Sequence, residues 1–148
     1  MRKTLGIMMG ATVLSTASIG LMATPAGAAP KTLTGAFTET SDYVPDNLAP
    51  SEYLTKDTNS HAGVGAGIAH ETAAAVIDVE YFAKGSVTIT SAVHHGSGSA
   101  TAVPISGTGT CSNGTGIFAG VKCTYSFTGT IDTTSGAVTT QITGSYKK

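Results

Sequence analysis

The chain has 148 residues, a formal net charge of −1, charged side chains at only 11% of positions and no tryptophan. Its sole arginine is Arg2, so the body of the chain lacks the residue best suited to bidentate grip on phosphate. Together with the mild acidity, this argues against nucleic acid as a partner.

Met1-Arg2-Lys3 is a short basic start, followed by the apolar run LGIMMGATVLSTASIGLM and by Ala26-Gly27-Ala28. That order is the layout of a secretory signal peptide with an A-x-A cleavage site. The reading is a leader over residues 1–28 and one mature domain over 29–148, secreted to the extracellular space. In the mature chain six lysines face nine acids, a formal charge of −3. Beyond the leader no apolar run is long enough to span a bilayer, so no membrane partner is expected after its removal.

Taken in chain order, PKTLTGAFTE alternates Leu33, Gly35 and Phe37 against Thr32, Thr34 and Ala36, a first strand by its period of two. SDYVPDNLAPSEYLTKDTNS reads as a long loop with two prolines, with a helical turn near Pro50 to Leu54. Its content of Tyr43, Val44, Leu48, Tyr53 and Leu54 is apolar and aromatic for an idle connection. HAGVGAGIA then alternates glycine with Val64, Ala66 and Ile68, as a flexible loop or as a strand that another group approaches closely.

Helix and strand compete over ETAAAVIDVEYFAKG. The flanking acid and lysine suit a helix, whereas Val76, Ile77, Val79, Tyr81 and Phe82 favour a strand. As a strand it is read with Ile77, Val79 and Tyr81 inward and Asp78 and Glu80 on a solvated face. Turned the other way, the two carboxylates would enter a lumen and be available for acid/base chemistry.

The remainder is regular β pattern. Val87, Ile89, Ser91, Val93 and His95 share one face, and Val103 and Ile105 begin the next. Val121, Cys123, Tyr125, Phe127 and Ile131 alternate with hydroxyls and Lys122, and Val138, Thr140, Ile142 and Tyr146 line the last strand. Asp132 to Gly136 is a hairpin turn. Strands so evenly spaced mean an all-β domain, a small antiparallel β-barrel or alternatively a β-sandwich. Glycines recurring within them, as at Gly107, Gly109, Gly129 and Gly144, favour the barrel because they permit sharp bending. Cys111 and Cys123 are an even pair in an exported chain, which predicts a disulfide.

No chemical motif stands out. His94 and His95 point to opposite faces of a strand, His70-Glu71 lacks the second histidine of H-E-x-x-H, and Gly96-Ser97-Gly98 lacks the nucleophile-elbow spacing. No metal and no cofactor is expected. A lumen built from Tyr81, His95, Tyr125, Phe127 and Tyr146 has the apolar walls and polar tips of a small-molecule pocket, and the same residues would equally fill an inert core.

The phrase GTGIFAGVKC, through Gly114, Gly116, Phe118 and Gly120, resembles the G-x-G-x-F-x-G-A-x-G pattern of the dirigent and allene oxide cyclase barrel superfamily. The last glycine of that pattern falls at Cys123. The resemblance implies an eight-stranded calycin-like barrel that binds a small, partly apolar ligand in its lumen, with some members steering cyclisation or coupling by shape. The rival expectation is an extracellular protein-interaction module, an inhibitor or surface-associated protein, using residues 43–57.

Overall fold

A computed structural model describes residues 33–47 and 49–148. The expected leader, 1–28, and Leu48 lie outside them. Eight strands follow in order: β1 (Gly35–Pro45), β2 (Glu52–Asn59), β3 (Gly63–Glu71), β4 (Val76–Phe82), β5 (Gly85–His95), β6 (Ala102–Ser112), β7 (Lys122–Asp132) and β8 (Val138–Lys147). Each pairs antiparallel with the next, and β8 returns to β1 with Gly35 opposite Tyr146, closing the barrel. Closure removes every exposed edge, and eight strands leave an interior that side chains nearly fill.

Two of the expectations are corrected. The stretch 41–60 is not a loop: β1 runs on to Pro45 and β2 begins at Glu52, so only the turn between them is irregular, and no helical turn forms there. Its polar residues are strand residues whose inward members are buried, which composition alone hides. The competing segment 71–85 holds a strand, Val76–Phe82, as favoured, but its facing is reversed. Asp78, Glu80 and Phe82 point inward, while Ile77 and Tyr81 are exposed.

The two ends of the barrel differ. At one end the β6–β7 connection carries a short 3-10 turn, Gly116–Phe118, that drops Phe118 into the barrel at 0% exposure. Phe118 meets Phe82 at 5.5 Å and Tyr146 edge-on at 5.9 Å, and Tyr146 stacks on Phe37 at 4.2 Å. These four rings plug that end. The GTGIF phrase therefore supplies a stopper, with Gly116 taking a φ of 58° that a side chain would resist.

Glycines within the strands make space for rings as well. Gly109 lies directly opposite Tyr125 and Gly107 opposite Phe127. A Cβ on Gly107 would fall 2.6 Å from the Phe127 ring, and one on Gly109 would strike the Tyr125 ring. The aromatic side chains lie flat over these bare backbones, so the glycines answer crowding inside a narrow barrel as much as curvature.

Cys111 and Cys123 are register partners on β6 and β7, bonded across a Cα separation of 5.0 Å. The disulfide closes the loop that holds the stopper, a constraint worth roughly 3 kcal/mol on the chain-entropy account.

Candidate functional site

The inward faces of β1, β2 and β4 carry an unusual load. From the plugged end toward the other, β1 turns in Phe37, Glu39, Ser41 and Tyr43; β2 turns in Asn59, Asp57, Thr55 and Tyr53; and β4 turns in Phe82, Glu80 and Asp78. Glu39, Asp57, Asp78 and Glu80 are all buried, with exposures between 0 and 3%. Between β2 and β4, strand β3 contributes only Gly65, Gly67 and Ala69. The opposite wall is apolar, built from Val87, Ile89, Ile105, Phe127 and Ile142.

Four buried carboxyls without a cation are costly, and the lysines among the described residues are all exposed. Part of the cost is met locally. Asn59 Nδ2 donates to Glu39 Oε2 at 2.6 Å and to the Tyr146 hydroxyl at 2.7 Å, while its Oδ1 accepts from the backbone of His61 and Ala62. Ser41 donates to Glu39 Oε1, and Thr55 donates to Asp57 Oδ2 at 2.8 Å. Asp57 Oδ1 and both oxygens of Asp78 have no donor, and Glu80 has no partner other than the Glu39 carboxyl.

Burial accordingly pushes every one of these groups toward its protonated form. Asp78 is raised to about 8, by burial first and then by the charges of Asp57 and Glu39. Glu80 is raised well above the ordinary range by burial, then by Glu39, Asp57 and Asp78, and it meets the Glu39 carboxyl in a contact that requires a proton on one of the two. Glu39 and Asp57 are raised by burial too, each eased by its hydrogen-bond donors.

Beyond the carboxylates the lumen widens into a cavity of about 90 Å³ that opens at the end opposite the stopper. Its walls are Ile89, Val93, Ile105, Phe127, Val138 and Ile142, with Tyr43, Ser91, Tyr125 and Thr140 as polar tips and Tyr53 and His95 toward the mouth. Tyr125 and Ser91 share a hydrogen bond of 2.6 Å. Burial, followed by the neighbouring carboxylates, holds the Tyr43 phenol well above its usual range. Tyr125 is likewise raised by burial, against the bond from Ser91. Both are therefore donors rather than bases.

Of the five residues expected to line a lumen, His95, Tyr125 and Phe127 do so together. Tyr146 is buried but belongs to the plugged end, with its hydroxyl on Asn59. Tyr81 is 58% exposed on the outer face, a correction that follows from the reversed facing of β4. Glu39, Asp57 and Asn59 escaped sequence reasoning. Glu39 shares the parity of Phe37, so the alternation already turned it inward; Asp57 and Asn59 were hidden in a stretch read as loop. No histidine among the described residues joins the acidic layer: His70 pairs with Glu52 on the surface at 3.8 Å, and His94 faces out.

The fold and site define a closed eight-stranded antiparallel barrel, stoppered at one end, half-open at the other, with an acidic layer between. No protein-family model, no curated protein and no solved structure matches the chain.

Proposed function

We propose that the chain is a small-ligand-binding barrel whose partly apolar ligand enters at the open end and is held between the apolar wall and the tips of Tyr43, Ser91, Tyr125 and Thr140. The observation that carries this reading is the half-open cavity itself, apolar on one side and tipped with hydroxyls on the other. Its volume is below the few hundred Å³ expected of a drug-sized site. The buried part of the ligand is thus about one ring in size, and any remainder extends past Tyr53 and His95. Neutral phenols favour a ligand bearing an oxygen acceptor. The resemblance of Gly114 to Gly120 to the dirigent and allene oxide cyclase pattern points the same way, toward cyclase-type catalysis by shape.

A second reading, contact with another protein, is favoured by the outer face. Val44 is 57% exposed and lies opposite Leu54, which is 54% exposed and lies opposite Ile68. Ile77 and Tyr81 extend this apolar surface on β4, and such contiguous patches mark interaction sites. Native mass spectrometry of the chain purified without denaturation separates the two. The ligand reading expects a small molecule released on collisional activation. A chain of bare mass bound to a stoichiometric protein partner would favour the outer face instead.

A further inference from the structure

The acidic layer has more to offer than cost. We propose that Glu39, Asp57 and Glu80 form a site for one calcium-sized divalent cation inside the barrel.

One carboxylate oxygen from each of these three buried residues lies within 4.8 Å of the others. Oxygens that close can share one ion, and side chains fixed on three strands suit the flexible coordination of calcium better than the near-ideal, water-rich octahedron that magnesium demands. The donors are all hard oxygens, and no histidine or thiol joins them, which disfavours softer transition metals.

A second observation comes from outside the three. Asp78 is 2% exposed and neither of its oxygens has a donor. Its Oδ1 and the Thr55 Oγ1 lie 2.8 and 2.6 Å from the point that a Cβ on Gly67 would occupy. Asp78 thus faces, across a bare glycine, the hydroxyl that holds Asp57. An unpartnered carboxylate aimed at three others has no structural purpose as an anion, because each added charge raises the repulsion. A divalent cation removes that repulsion and gives the grouped oxygens of Glu39, Asp57 and Glu80 a common partner, with Asp78 as a further charge beside it. A monovalent ion would leave most of the charge uncompensated. The inference is independent of what fills the outer cavity.

The test is thermal unfolding of the purified chain, stripped with a chelator and dialysed, with calcium chloride added to millimolar levels, alongside calorimetric titration of the metal alone. The expected result is one calcium per chain and a melting temperature raised by about 10 °C at a hundredfold excess over Kd. Glu80→Gln keeps the volume, relieves repulsion and should melt no lower than the stripped parent while losing the calcium shift. Should that variant fail to fold, Asp57→Asn makes the same comparison. No calcium-dependent shift in the parent overturns the proposal, as does a shift that survives in the variant. An equal response to magnesium overturns the assignment to a calcium-sized ion.

Discussion

Raising the pH from about 4 to about 8 is expected to weaken this fold, in the presence of chelator, by several kcal/mol. The sign follows from Asp78. Its folded-state value of about 8 stands above the ordinary 3.8, so between those values the folded chain keeps a proton that the unfolded chain releases. Stability is fully present below the lower value and is lost as the pH climbs through the upper. At about 1.4 kcal/mol per pH unit, Asp78 alone accounts for about 5 kcal/mol, against a typical total of roughly 5–15 kcal/mol. Glu39 on β1, Asp57 on β2 and Glu80 on β4 are all shifted in the same direction, so they add to the trend. Asp78→Asn should therefore raise the melting temperature by roughly 20 °C near the upper value and leave it unchanged near the lower one. Circular dichroism melts of both chains across this range decide the matter. A parent whose melting temperature stays flat or rises with pH would show that the carboxyls are solvated.

Phe118→Ala is expected to cost about 3–5 kcal/mol under acid conditions, the range for a fully buried aromatic truncated to a methyl. The ring is 0% exposed and touches both Phe82 and Tyr146, so the surrounding strands, held by their ladders, are poorly able to collapse around the hole. The same truncation opens a route for water toward Asn59, Tyr146 and Glu39. Water there solvates the carboxylates, which lowers their shifted values and flattens the pH profile. The variant should consequently lose less stability near pH 8 than near pH 4. Chemical denaturation at both ends of the range measures the difference. An equal loss at the two ends would separate the stopper from the acidic layer.

These two effects share a cause that the sequence exposes unevenly. The strands β5 to β8 were legible because their apolar residues face in and their hydroxyls face out, the ordinary rule for a half-buried sheet. Closure into a barrel and the disulfide partner followed from regular spacing and from an even cysteine count. On β1 to β4 the rule inverts: Asp57, Asp78 and Glu80 face in while Leu54, Ile68, Ile77 and Tyr81 face out. A period of two survives such an inversion, so alternation identified β4 as a strand but could not say which face is inside. The facing was set by topology, since the strand must present Phe82 to the plug formed by Phe37, Phe118 and Tyr146. The glycine phrase of β3 was ambiguous for a related reason. Gly65 and Gly67 are intelligible only once Phe82 and the carboxylates are seen to crowd them.

The most direct test of the half-open lumen is a titration with an apolar fluorescent probe, comparing the parent chain with Val93→Phe. Val93 lines the cavity and lies opposite Gly107, in the level of Phe127, so a phenyl group there fills the space without touching the acidic layer. The parent should bind one probe saturably and the variant should lose that binding while keeping its β-sheet spectrum. A parent that binds no probe, or a variant that binds it undiminished, would contradict a ligand site inside the barrel.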